Sequence, residues 1–89
     1  MGISKNIFSP IKSRRAFEEV TDNIKKLLFT GVLKPGDRLP SEQELSQQFN
    51  VGRQTTREAL RQLELLGFIR IQKGGGGGAF VNDEINITI

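Results

Sequence analysis

A gap of only three residues, 50–52, separates two stretches of helical apolar spacing, and it constrains the fold more than any other feature. Before the gap, Leu45 and Phe49 lie four residues apart, as they would on one face of a helix. Asn50 tolerates the left-handed conformation that ends a helix, and Gly52 is an acceptable N-cap for the next one. Two helices joined by so short a turn are typical of a helix-turn-helix unit.

The helix after the gap is predicted over about residues 53–66. Its arginines Arg53, Arg57 and Arg61 lie four residues apart and therefore share a face. Gly67 is expected to end it. The inward stripe of this helix is predicted to be Thr56, Ala59, Leu60, Leu63 and Leu66.

Two helices are expected before the helix at 53–66. The second helix begins with Ser41 as N-cap, and Glu44 completes the pattern of a capping box. A turn at residues 35–37 and a single extended, buried Leu39 precede it. The first helix stops before Gly31, and its apolar face consists of Phe17, Val20, Ile24, Leu27 and Leu28.

The last third of the chain predicts a β-hairpin. Residues 68–72 alternate apolar and polar side chains, which indicates a short strand. Five glycines follow at 74–78, and residues 79–81 supply a second strand. The fold class is therefore mainly α with a small β-hairpin: a winged helix-turn-helix of three helices plus a two-stranded wing. It is predicted to span residues 13–82, after a flexible N-terminal arm at 1–12 and before a linker that starts at 83–89.

Composition narrows the range of functions. The 89 residues include no Cys and no His, which excludes disulfides, thiolate or imidazole metal sites and Cys or His catalysis. Glu42 and Glu44 do not form a catalytic pair, because Glu44 is needed for capping and no nucleophile accompanies them. We expect no catalytic residue, no metal and no cofactor. No apolar run approaches the roughly 20 residues that cross a bilayer, and the chain lacks a signal-peptide pattern. We expect a cytoplasmic protein.

Three segments together resemble the N-terminal domain of GntR-family transcription regulators. They are Leu-Pro-Ser-Glu-Gln-Glu-Leu at 39–45, Val-Gly-Arg-Gln-Thr-Thr-Arg-Glu-Ala-Leu at 51–60, and Gly-Ala-Phe-Val at 78–81. The match covers roughly residues 13–82. The resemblance implies sequence-specific binding of double-stranded DNA by the reading head of a metabolite-responsive bacterial regulator. The helix at 53–66 would lie in the major groove and the glycine wing near the minor groove.

The side-chain chemistry suits that role. An arginine pairs bidentately with guanine N7 and O6, a glutamine offers adenine a donor and an acceptor, and the Thr55 hydroxyl suits phosphate. The free amides at a helix start also attract phosphate. The resemblance implies DNA contacts at Gln43, Arg53, Gln54, Thr55, Arg57 and Gly76.

Three positions depart from the family pattern. Family members often carry Arg at the position of Gln43 and Ser or Thr at the position of Gly52. Thr56 replaces a common aliphatic residue and is expected to be buried.

Arg61 lies farther from the helix start and is expected to be solvated. The basic residues near Arg14 and Arg15 either touch phosphate or are solvated.

Alternatives remain open at two levels. The glycine run either lets the wing backbone approach the minor groove or forms a disordered loop that contacts nothing.

At the level of function, a winged helix used for protein–protein contact would need an apolar or acidic reading face, and Arg53 with Arg57 argues against it. An enzyme would need a convergent nucleophile and base, which the sequence does not show.

The resemblance also implies partners. A C-terminal domain beyond residue 89 would bind a small-molecule effector and form a homodimer in the full-length protein. The dimer would bind a palindromic operator with half-sites about one helical turn apart. The 89-residue fragment alone is expected to be monomeric.

Overall fold

A computed structural model describes residues 11–83, with side chains from Arg15 onward. Residues 1–10 of the predicted arm and residues 84–89 of the predicted linker lie outside the described residues. The elements are α1 (Ile11–Phe29), α2 (Glu42–Phe49), α3 (Arg53–Leu65), β1 (Ile69–Gln72) and β2 (Gly78–Val81). This order confirms three helices plus a two-stranded wing. The arm was predicted to extend to residue 12, whereas α1 already begins at Ile11.

The predicted apolar face of α1 forms one side of the core. Val20 and Ile24 are 2% and 1% exposed. Thr21 is also buried, and its hydroxyl donates a hydrogen bond of 2.9 Å to the Phe17 carbonyl, so the polar group is satisfied. After the helix the chain turns at Gly31, whose φ of +80° is accessible to glycine at little cost. Within residues 11–83, no helix combines the length and apolarity needed to cross a bilayer.

Helix α3 packs against α1 through its inward stripe. Ala59 and Leu63 are fully buried, and so is Thr56. Leu66 was predicted to belong to this stripe, and that prediction is wrong: it is 44% exposed. Because α3 ends at Leu65 and the chain reverses at Gly67, with φ of +89°, it is Phe68 that covers this end of the core. The core consists of Val20, Ile24, Leu39, Leu45, Ala59, Leu60, Leu63, Phe68, Ile69, Ala79 and Val81.

The wing strands pair in an antiparallel register that places Ile69 opposite Val81. The inward-facing side chains of β2 are buried, as the alternation predicts for a half-covered sheet. A third segment, residues 36–39, pairs with the other edge of β2. The Leu39 amide donates to the Ala79 carbonyl at 2.8 Å, and the Val81 amide donates to the Asp37 carbonyl at 2.8 Å. Strand β2 is therefore central, and Leu39 is the extended, buried residue that was expected.

The capping box of α2 is confirmed. The Glu44 amide donates to the Ser41 hydroxyl at 3.0 Å, and the Ser41 amide donates to the Glu44 carboxylate at 3.0 Å. The hydrogen bond from the Ser41 amide is the largest cause that lowers the pKa of Glu44, followed by the Ser41 side chain and the charge of Arg38. The carboxylate is therefore more stable in the folded chain than in the unfolded one.

This capping box predicts an acid-sensitive contribution to stability. Since the folded pKa of Glu44 lies below its ordinary value of 4.5, its contribution is complete above that value and is lost as pH falls through the folded pKa. Glu44→Gln keeps an acceptor but cannot ionise. We expect its free energy of unfolding, measured in urea, to fall less than that of the wild-type chain between about pH 6 and about pH 3.

Glu19→Gln is the matched control, because it removes an exposed carboxylate from α1. It shows how much the loss of one carboxylate changes the measurement by itself. Equal pH dependence in Glu44→Gln and the wild-type chain would contradict the assignment.

Candidate nucleic-acid interface

The turn between α2 and α3 has the conformation expected of its residues. Asn50 adopts the left-handed conformation with φ of 57°, and the Val51 amide donates to the Ser46 carbonyl at 3.0 Å. Gly52 is the N-cap of α3 and has extended backbone, with no side chain to cap the helix. Helix α3 therefore starts directly after the turn, and no side chain caps its first amides.

A buried pair of hydroxyls joins α2 to α3. The Ser46 and Thr56 oxygens lie 2.8 Å apart, and the Ser46 hydroxyl also lies 2.7 Å from the Glu42 carbonyl. Thr56 is 0% exposed, which confirms that it is buried rather than free for an external ligand. Ser46 was missed by sequence reasoning. The signal that could have found it was its position three residues before Phe49, on the inward side of α2.

The six residues predicted as contacts all lie outside the core, but they are not equally accessible. Thr55 is half-buried. The amide oxygen of Gln43 on α2 accepts a hydrogen bond of 3.3 Å from the Arg53 guanidinium on α3, so the two predicted positions adjoin across the turn. The remaining exposed members of the set are Gln54, Arg57 and Gly76.

Arg57 is engaged by a residue that sequence reasoning did not select. Its Nε and Nη2 donate to the two carboxylate oxygens of Glu42 at 3.1 and 3.0 Å. These side chains are 51% and 29% exposed, so solvent screens the pair and it adds little stability. The hydrogen bonds that Arg57 donates to Glu42 are the largest cause that raises the pKa of Arg57, followed by the attraction between their charges. Glu42 thus acts mainly on the orientation of Arg57.

The geometry of this pair leaves a second edge of the guanidinium available. A guanidinium has five N–H donors in a rigid plane, and the contact with Glu42 uses Nε and one Nη2 hydrogen. The donors on Nη1 and the second Nη2 hydrogen form another fork on the adjacent edge. Arg57 can therefore bind a paired acceptor such as a guanine edge or a phosphate without leaving Glu42.

A groove runs between α3 and the wing. Its walls include Arg57 and Arg61 from α3 and Lys73 from the wing, facing the carboxylates of Glu42 and Glu64. Glu64 accepts a hydrogen bond of 2.9 Å from the Ile71 amide, so it is committed to β1. Among the described residues, no group of three acidic side chains is arranged to hold a metal ion. Three cationic side chains therefore line the groove against two carboxylates.

The wing turn is a closed structure rather than an open run of glycines. The Gly77 amide donates to the Gly74 carbonyl at 2.9 Å, and Gly74 has φ of +103°. A Cβ on Gly77 would overlap the carbonyl oxygen of Gln72, so this position also requires glycine. A Cβ on Gly75 or Gly76 would extend into open space, and these two residues form the tip. The predicted contact Gly76 is thus the outermost part of the wing.

Comparison with known sequences gives one consistent result. The family model described as "Bacterial regulatory proteins, gntR family" matches residues 16–81. The putative HTH-type transcriptional regulator RmpR of Mycobacterium gastri is 42% identical over 64 residues, which are 72% of this chain and 23% of that protein. The chain therefore spans about a quarter of the length of the curated relatives it matches.

Solved structures agree with the fold. YtrA from Sulfolobus acidocaldarius, a GntR-family transcription factor, has a TM-score of 0.70 and 36% identity, covering 78% of this chain and 70% of that one. The structure of AraR(DBD) in complex with operator ORR3 has a TM-score of 0.69 and 35% identity, covering 74% of this chain and 77% of that one. The described arrangement of helices and wing is the one found in these winged-helix proteins.

The Glu42–Arg57 pair leads to a direct prediction about side-chain order. Glu42→Gln should free the Arg57 guanidinium, because an NH2 group, which cannot accept a hydrogen bond, replaces one of the two accepting oxygens. We expect solvent exchange of the Arg57 Nε proton, measured by NMR, to become roughly twofold to fivefold faster. Glu58→Gln is the control, since it removes an exposed carboxylate of α3 that contacts Gln54. Equal exchange in both variants would show that Glu42 does not hold Arg57.

Proposed function

The chain belongs to the gntR family of bacterial regulatory proteins, and we propose that it recognises operator DNA with α3 in the major groove and the glycine wing against the neighbouring minor groove. The observation that carries this proposal is the exposed first half of α3. There Arg53 and Arg57 lie one turn apart with Gln54 between them. Helices of this type touch base edges with their N-terminal residues.

Each contact residue has a chemical role in the proposal. Arg57 offers guanine the fork that Glu42 leaves open. Arg53 also offers a guanine edge its guanidinium donors, one turn earlier on α3. Its Nη2 donates a hydrogen bond to Gln43 on α2, which orients it. Gln54 reads adenine, and Thr55 donates to phosphate together with the free amides at the start of α3. Half-burial of Thr55 suits a phosphate contact at the edge of the interface better than a base contact inside the groove.

The wing supplies the second part of the interface. A tip made of Gly75 and Gly76 lets the backbone approach the minor groove closely. Lys73 at the base of the wing and Arg61 on α3 line the same groove, and in the proposal both neutralise phosphates between the two contacts. Arg61, expected from the sequence to be solvated, is therefore included in the proposal as a phosphate contact and not as a base contact.

The remaining partners belong to the full-length protein. We infer that a C-terminal domain binds a small-molecule effector and forms a cytoplasmic homodimer. The dimer places two copies of this domain on a palindromic operator, with half-sites about one helical turn apart. Support for this comes from the family resemblance and from the length of the curated relatives, of which this chain spans about a quarter.

The proposal is tested by comparing two arginines on one helix face. A preferred duplex is first selected from a randomised pool, and affinity is measured by fluorescence anisotropy at several salt concentrations. Arg57→Ala should lower affinity for the preferred duplex by roughly tenfold to a hundredfold and relax preference at one position. Arg61→Ala should weaken all duplexes alike and reduce the slope of log affinity against log salt by about 0.9.

Two outcomes would contradict the proposal. A wild-type affinity that does not depend on salt would show that no phosphate is neutralised and would contradict the proposed interface. A change of base preference in Arg61→Ala without one in Arg57→Ala would show that α3 does not lie in the groove as proposed.

The wing contact gives a separate prediction. Gly76→Ala adds a methyl group in open space, so the thermal unfolding midpoint should not change. It should nevertheless weaken binding of the selected duplex by roughly threefold to tenfold, because the methyl group separates backbone and DNA. Gly77→Ala is the contrasting variant and should lower the unfolding midpoint, since its Cβ overlaps the Gln72 carbonyl. Wild-type affinity in Gly76→Ala would mean that the wing tip does not approach DNA.

A further inference from the structure

Arg38 lies in the segment that pairs with the open edge of β2. It faces Phe80 in an isolated antiparallel bridge, while Arg70 faces Phe80 from β1. Residues directly opposite in antiparallel strands project to the same side of the sheet. The two guanidiniums therefore flank one aromatic ring on the outer face of the wing, at 5.8 Å and 5.4 Å from its centroid.

The Arg38 side chain continues along β2 toward the glycine turn. Its Nη2 donates a hydrogen bond of 2.6 Å to the carbonyl of Gly77, the last residue of the turn. Its Nε occupies the space beside Gly78, where a Cβ would lie only 2.9 Å from it. Arg38 thus contacts the turn although it precedes Gly77 by 39 residues in the sequence. The lack of a side chain at Gly78 makes room for it.

Both arginines on this face donate hydrogen bonds to backbone carbonyls. Arg70 donates to the Val81 carbonyl at 3.2 Å, and Arg38 donates to that of Gly77. The contacts of Arg38 connect two different parts of the wing, because Phe80 belongs to the ordered strand and Gly77 belongs to a run of five glycines. Glycine has more conformational freedom to lose than any other residue.

We propose that Arg38 is a positioning residue that orders the glycine wing, by stacking on Phe80 and holding the Gly77 carbonyl, so that the tip is preformed before any ligand arrives. This inference about the wing stands on contacts within the chain. Its consequence for DNA affinity rests on the proposed function. A preformed loop binds more tightly because less freedom is lost on binding.

The first test needs no DNA. Backbone order parameters of Gly77 and Gly78 are measured by NMR relaxation in the wild-type chain and in Arg38→Met, which keeps much of the length of the side chain and loses its donors and charge. We expect values near 0.85 in the wild-type chain and below about 0.6 in the variant. Arg38→Lys keeps a charge and a donor and should restore part of the order.

Lys34→Met is the matched control, because it removes one positive charge from an exposed position in the preceding turn. It should leave the wing at its wild-type order. Disorder of Gly77 and Gly78 already in the wild-type chain, or unchanged order in Arg38→Met, would overturn the proposal. A folded core in each variant is verified from the amide spectrum of α1 and α3.

The second test uses the duplex selected from the randomised pool. Arg38→Met should bind it roughly threefold to tenfold more weakly, with an unchanged slope of log affinity against log salt. A slope smaller by about 0.9 together with unchanged wing order would make Arg38 a phosphate contact and overturn its positioning role. Failure of every variant and of the wild-type chain to bind DNA would refute the proposed function and leave the order-parameter result standing.

Discussion

The packing of α3 against α1 is the constraint on which the rest of the interface depends. Ala59 and Leu63 of α3 are completely buried, in the same core as Val20 and Ile24 of α1. Arg57 precedes Ala59 by two residues, which is about 200° of helical rotation. Burying Ala59 therefore directs Arg57 away from the core. The same hydrophobic contact that stabilises the fold also determines which side of α3 is left for a ligand.

Two contacts between α2 and α3 then fix the position of that exposed side. Ser46 and Glu42 lie one turn apart on α2, and they meet Thr56 and Arg57, which are consecutive on α3. Each hydroxyl of the buried pair also contacts a backbone carbonyl of its own segment, Ser46 that of Glu42 and Thr56 that of Gly52, so the pair is satisfied where it joins the two helices. The exposed ion pair is weak but orients a guanidinium. The polar group that Thr56 brings into the core is thus paired with the serine that faces it.

Local signals in the sequence were sufficient for the order of the elements and for the helix ends that a cap marks. The capping box of Ser41 with Glu44 and the left-handed Asn50 depend on residues within one helical turn of each other, and both were predicted correctly. Leu66 was wrongly predicted to be buried. Helical periodicity extends the apolar stripe to Leu66 but does not show that the helix ends at Leu65 and that Phe68 covers the core at this point. The partners of the functional side chains were also missed. Glu42 meets Arg57, and Arg38 meets Gly77, across separations that only the tertiary fold closes.

The wing shows how an unfavourable sequence can still give a defined shape. Ordering the backbone costs about 1–2 kcal/mol per residue, and the cost is greatest for glycine. Gly74 and Gly78 use their freedom for positive φ, and Gly77 is required by its close approach to Gln72. Compensation comes from β2, which is paired on both edges, and its outer partner is the segment that leads directly into the capping box of α2. Helix α2 also holds Arg57 through Glu42. The wing and the exposed side of α3 therefore both contact the short stretch of chain from residue 36 to residue 42. They form one surface, and a displacement at the start of α2 would move both of its parts together.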